Sequence, residues 1–183
     1  MLAILQGEFF WGVIVGLFLS FNGGWVLAKL TVTMQQAQAR KTIARFSADT
    51  IKNIQSIIKE MDLTRKRAKT IYHDYLALIE VEVEIYGRNR EHHILLADED
   101  RAAVRQFMSN VAIKRAEVAD NLSRCYQQNN LIEQARLEGR VADEQCLLEN
   151  ANINLIAAQE AADRLADFGK DVSDLLARLD TYK

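Results

Sequence analysis

His92 and His93 stand side by side behind Glu91, the nearest approach to a metal-binding group in this chain of 183 residues. A transition metal needs imidazole, thiolate and carboxylate donors that converge on one point. Neighbouring residues on a helix point about 100° apart, so two adjacent histidines are poorly placed to share an ion. No Glu-x-x-His pair of the kind that holds two metals inside a helix bundle occurs. The expectation is therefore a solvated loop without a metal. Glu80 and Glu84 lie one helical turn apart and are the obvious acid–base candidates, but such chemistry needs a pocket, and a rod of two or three helices has little concave surface. A phosphate-binding loop, a glycine-rich dinucleotide turn and a nucleophile elbow are all missing from the sequence. Cys125 and Cys146 are 21 residues apart with no CxxC, and both fall on apolar-periodic stretches where a free cysteine behaves as a small hydrophobe. These residues predict no catalytic group, no cofactor, no metal and no small-molecule substrate, and a protein that is not an enzyme.

The densest charge cluster is the basic patch Arg65, Lys66, Arg67 and Lys69. Anionic lipid and nucleic acid are the partners such a run can serve. The net charge of −2 gives no general attraction to nucleic acid, so none is expected as a partner. From Lys29 to His73 there are ten Lys/Arg against three acids, whereas 131–183 holds six against eleven. A salt-bridged face opposing the acidic C-terminal helix is the favoured reading of the patch.

The element that must position everything else is apolar. Between Glu8 and Lys29 run twenty residues without a charge, the length needed to cross a bilayer as a helix at about 20 residues. Gly12, Gly16, Ser20, Gly24 and Ala28 recur in it at every fourth position. In lipid, helices associate where small side chains let backbones approach, so this row is expected to pack against another transmembrane helix. Trp11 and Trp25 sit near the two ends, where amphipathic rings prefer the interfaces. The start carries no Lys or Arg, and no A-x-A pattern follows the apolar run, which argues for a retained anchor rather than a cleaved leader. Lys29, Arg40, Lys41 and Arg45 all follow the segment. The positive-inside tendency then places the N-terminus outside and the C-terminal domain in the cytoplasm, as for a single-pass protein of a bacterial inner membrane.

The remainder reads as all-α. Proline is absent, where average usage near 5% would give about nine, and glycine is sparse after residue 24. The expected organisation is a short segment 1–8, a transmembrane helix 9–30, a long membrane-proximal helix 31–86, a loop 87–97, a second helix 98–128, a turn at Asn129-Asn130, and a third helix 131–182. Ile79 to Ile85 alternates apolar and acidic residues as a strand would, yet Tyr72, Tyr75, Leu76, Ile79, Val83 and Tyr86 continue a helical stripe, and no second strand candidate exists for it to pair with. Gly87 is expected to end that helix and Asp98 to cap the next. At about 1.5 Å per residue the first and third helices would reach about 84 Å and 78 Å, which suits a rod or an antiparallel coiled-coil hairpin bundle. The function expected is that of a membrane-anchored scaffold or assembly subunit. It would sit in the lipid bilayer, associate with itself or with other membrane subunits through the small-residue stripe, and present coiled-coil surface to protein partners. The alternative is a pore component built from glycine-lined helices, which has only Ser20 and Asn22 as polar groups at depth.

Overall fold

A computed structural model of the chain describes residues 2–170 and 172–182, with side chains described from Ala28 onward. The chain is all-α, and no strand occurs among the described residues. Its elements are α1 (Leu2–Ala68), α2 (His73–Arg88), a 3-10 helix (Arg90–Leu95), α3 (Asp98–Leu137), α4 (Val141–Phe168) and α5 (Ser173–Asp180). By internal packing it divides into two units, Met1–Thr42 and Ile43–Lys183. In the first unit the described side chains, from Ala28 to Thr42, are exposed but for a half-buried Ala39. Gly12, Gly16, Ser20, Gly24, Trp11 and Trp25 lie outside the described side chains, while Ala28 is described and exposed. No helix is long and apolar enough to cross a membrane among the described residues; for most of the expected span 9–30 the side chains lie outside those described.

The second unit is held by a heptad stripe on α1. Ala44, Ser47, Ile51, Ile54, Ile58 and Met61 alternate steps of three and four and are all buried. Against them pack Val104, Phe107, Val111, Val118 and Leu122 of α3, and Ala158, Ala162 and Leu165 of α4. The alanines let α4 approach closely, and Gly169 just beyond it is tighter still. A Cβ there would stand 3.2 Å from Ile58 Cγ2.

Where the sequence predicts one helix over 31–86, the chain breaks between Ala68 and His73. Nothing in the residue types marks the break, since neither glycine nor proline is near. Lys69 adopts a left-handed φ of 53°, which costs a non-glycine residue about 1–2 kcal/mol. Reversal of the chain buries Ile71, Leu76, Ile79 and Tyr86, each worth about 1.5–3 kcal/mol. Burial wins. The cationic last turn, Arg65 to Arg67, also suits the negative end of the helix dipole. Once reversed, α2 runs back along α1, with Thr64 Oγ1 and Tyr75 Oη 3.2 Å apart and Asn53 donating to Glu82 Oε1 at 3.3 Å. The alternating run 79–85 is helical, as its stripe of buried residues requires.

The expected loop 87–97 contains the 3-10 helix instead. Gly87 lies within α2, which ends one residue later. Ala97, not Asp98, occupies the N-cap of α3; Asp98 is its first residue and pairs with Arg101. Asn129-Asn130 makes no turn, because Ile132 and Ala135 stay on the buried stripe and carry α3 on to Leu137. The reversal falls at Gly139, with φ +70°. The Arg140 N–H reaches the Ala135 carbonyl at 2.9 Å and the Gly139 N–H reaches Arg136 at 3.2 Å, a Schellman closure that needs a left-handed residue at this point. The expected third helix, 131–182, is thus divided among the end of α3, α4 and α5, with breaks at Gly139 and after Phe168. Glycine at 139 should matter and glycine at 87 should not. Gly139→Ala is expected to lower the unfolding free energy by about 1 kcal/mol. Gly87→Ala, at a helical position with open space around it, should raise it by about 0.5–1 kcal/mol. Urea denaturation of the two variants checks both signs.

Candidate functional site

The basic patch separates into members that face opposite ways. Arg65 follows the heptad stripe one step beyond Ile58 and Met61, so its stem enters the core, and its side chain is only 10% exposed. Its Nη2 donates to Asp62 Oδ1 at 2.7 Å and also to Asp163 Oδ1 of α4, and Nη1 reaches the Gln159 carbonyl at 3.4 Å. Nε is buried without a partner. Lys66 takes the other oxygen of Asp62 at 2.6 Å. Burial pushes the Asp62 carboxyl up, but the hydrogen bonds and charges of Arg65 and Lys66 outweigh it and hold the group below the usual carboxylate range. Burial likewise disfavours the Arg65 charge, and Asp163 and Asp62 more than compensate. Arg67 and Lys69 are exposed. The patch therefore docks α1 on the acidic α4 through Arg65, and it is not a continuous basic surface.

The glutamates of α2 are similarly occupied. Glu80 receives both Nη atoms of Arg115, at 2.8 and 3.1 Å, which clamps α2 to α3, and Glu84 pairs with Arg88 on its own helix at 3.3 Å. Among the described residues no group of three or more His, Cys, Asp or Glu is placed to hold a metal ion. Cys125 is buried as expected, whereas Cys146 is exposed, because α4 turns it away from the small cluster formed by Cys125, Ile132 and Ala151.

His93 departs most from expectation. It is fully buried, while His92 beside it is exposed. Its ring lies 4.4 Å from that of Tyr86 and 6.1 Å from Phe46, and Nδ1 is 3.2 Å from Ser47 Oγ. The Ser47 hydroxyl donates to the Ile43 carbonyl at 2.9 Å, so the hydrogen-bond network assigns the ring proton to Nδ1, which donates to Ser47. Nε2 and the Tyr86 hydroxyl are left buried without partners. Burial, then the charges of Arg105 and His92, hold the imidazole below its ordinary pKa and therefore neutral. Ser47 occupies a core register position as a polar residue, which is the one sequence signal for a buried polar partner elsewhere.

A second feature absent from the expectations is a tyrosine latch. Tyr182 Oη accepts the Ala97 N–H at 2.9 Å and donates to Asp100 Oδ2 at 2.8 Å, while Arg178 approaches Asp100 Oδ1 at 3.6 Å. It ties the segment after α5 to the uncapped start of α3.

Two concave regions are lined by described residues. The larger, about 520 Å³, lies between α1 and the end of α4, with Lys52, Lys59 and Lys170 around a floor of Ile58, Ala166 and Gly169. The other, about 380 Å³, is shallow and lies among Arg90, Arg101, Arg105, Glu91 and Ile94. Compared with protein-family models, with curated proteins and with solved structures, the chain matches none of them.

Proposed function

We propose that this protein is a membrane-anchored helical scaffold, held in the bilayer by residues 9–30 and presenting an α-helical hairpin to protein partners or to further copies of itself. The observation that supports this most is the far end of the α3–α4 hairpin. His73 against Tyr126 marks the end of α2 on α3, and Arg65 against Gln159 marks the end of α1 on α4. Beyond those points the hairpin has its own small core, Cys125, Ile132 and Ala151 with Leu147 and Leu155, separate from the main one. Arg136 to Glu144, at 2.6 Å, and Asn154 to Gln128, at 3.1 Å, brace its two arms. Its outer surface keeps large apolar side chains in water: Leu137 is 88% exposed and Val141 74%, with Leu131 and Leu148 about half so. Apolar side chains gathered at one end of a helical arm are characteristic of a contact surface.

Membrane confinement gives such a surface its effect. Contacts too weak to hold two freely diffusing molecules become effective when both are restricted to one plane. The row Gly12, Gly16, Ser20, Gly24 and Ala28 supplies a second contact within the bilayer, where close backbone approach replaces the hydrophobic drive. Charge flanks fix the orientation, with the hairpin in the cytoplasm. A reporter enzyme that is active only outside the cytoplasm, fused after Lys183, is expected to be silent. Strong activity would reverse the topology and place the hairpin on the outer side.

A further inference from the structure

We propose that the cleft between α1 and the end of α4 binds an anionic amphiphile, with an oxyanion head held by Lys52 and Lys59 and an apolar body lying on Ile58, Ala166 and Gly169. The argument begins with the register of α1. Arg45, Lys52, Lys59 and Lys66 are spaced seven apart, one position after the buried residues Ala44, Ile51 and Ile58, so a row of cations flanks the core stripe. The two end members have carboxylate partners: Arg45 is 3.9 Å from Asp49, and Lys66 is 2.6 Å from Asp62. Lys52 and Lys59, the two that line the cleft, form no ion pair with any described residue.

Carboxylates are not lacking nearby; they are committed elsewhere. Asp62 also lines the cleft, but its two oxygens go to Arg65 and Lys66. Asp163 goes to Arg65, and Asp167 holds Lys170 at 2.8 Å. The result is two lysines two helical turns apart on one face of α1, with a third cation across the cleft and no counter-charge for the pair among the described residues. Gln55, also in the wall, is fixed by its bond to the Gly169 carbonyl at 2.8 Å, which keeps the mouth of the cleft in shape. The close approach of Ile58 to Gly169 makes the floor apolar. A volume of about 520 Å³ lies within the roughly 300–1,000 Å³ range of small-molecule sites, which pair an apolar lining with a few fixed polar groups. A hydrophilic anion would use the lysines and waste the floor; an apolar molecule would leave the lysines unpaired.

The test is calorimetric titration of the full chain in uncharged maltoside detergent, with protein-free micelles as baseline. The probes are hexyl phosphate, inorganic phosphate and hexyltrimethylammonium. Hexyl phosphate is expected to bind about tenfold or more tightly than inorganic phosphate, because buried methylenes add to the ionic contact, and the cationic probe should not bind. The Lys52→Gln/Lys59→Gln variant should weaken hexyl phosphate binding about tenfold or more while keeping its melting temperature, since both lysines are exposed and neither forms an ion pair with a described residue. Ser56→Trp, at an exposed position in the cleft wall, should fill the space and also abolish binding. Competition by phosphatidic acid in the micelle would identify a lipid as the source of the head group. Competition only by water-soluble alkyl phosphates would identify a free metabolite. Undiminished binding in the lysine variant, or equal binding of the anionic and cationic probes, overturns the proposal. Retained binding in Ser56→Trp overturns the placement in the cleft.

Discussion

Reversing Arg65 to Glu is expected to destabilise the folded chain by about 3–5 kcal/mol. The guanidinium sits at a core register position and holds two carboxylates at once, from its own helix and from α4. A glutamate there would face Asp62 and Asp163 in a poorly solvated place. Most of the cost belongs to Asp62, whose side chain is 14% exposed, because Asp163 is 58% exposed and largely screened by water. Arg65→Met should cost much less, since it removes a buried charge with an unmet Nε and leaves Asp62 to Lys66. Combining Arg65→Glu with Asp163→Arg should recover part of the loss, with a coupling energy of about 1 kcal/mol or more in urea denaturation. Purely additive effects would mean that the α1–α4 pair does not hold the helices together.

The second large effect concerns His93. His93→Ala is expected to cost about 2–4 kcal/mol, because it leaves a cavity between Phe46, Tyr86 and Ser47. The same residue should make stability depend on pH, and its sign follows from the surroundings. Protonation would put a second N–H at Nε2, which has no hydrogen-bond partner among the described residues, and add a charge that Arg105 of α3 and His92 repel. Tyr86 from α2 and Ser47 from α1 offer no negative charge; burial pushes the Tyr86 phenol up, so it stays neutral. The native pKa thus lies below the unfolded value of about 6.5. The unfolded chain binds the proton first as pH falls, so the contribution of His93 is complete above about 6.5 and is lost progressively below it, until the native ring also protonates. Unfolding measured between pH 7.5 and 5 should show this slope, and His93→Phe should flatten it. Ser47 keeps its bond to Ile43 in that variant. A slope unchanged by His93→Phe would assign the pH dependence to other groups.

What could be read from the sequence follows from where the information lies. The stripe Val104, Phe107, Val111, Val118, Leu122 and Cys125 is periodic over several turns, and each of its members is buried. The alternating run 79–85 was decidable as helix because its apolar residues also fit a period of 3.6. Breaks were less legible. The reversal at Lys69 is imposed by burial of Ile71 and Leu76, a tertiary cause with no local residue signature. Asn129-Asn130 has the residue types of a turn, but the buried positions on either side are in helical phase, and the left-handed glycine stands nine residues further on. His93 and the Tyr182 latch depend on partners 46 and 82–85 residues away, which spacing alone cannot identify. The docking of the basic patch on the acidic helix was legible as charge asymmetry, though not that Arg65 alone would turn inward.

The proposed assembly through residues 9–30 is tested most directly by one comparison. The protein and two variants, Gly16→Ile and Leu17→Ile, would be extracted in mild detergent and the mass of each complex measured. Isoleucine favours the bilayer core, so all three should insert. At position 16 the branched side chain enters the centre of the small-residue row and holds the backbones apart, with a loss of contact that lipid tails do not restore. At position 17 it lies off the row. The predicted result is a defined oligomer or complex for the parent chain and for Leu17→Ile, and a smaller or dissociated species for Gly16→Ile. Equal masses for all three would contradict the account and leave the hairpin surface alone to hold any assembly together.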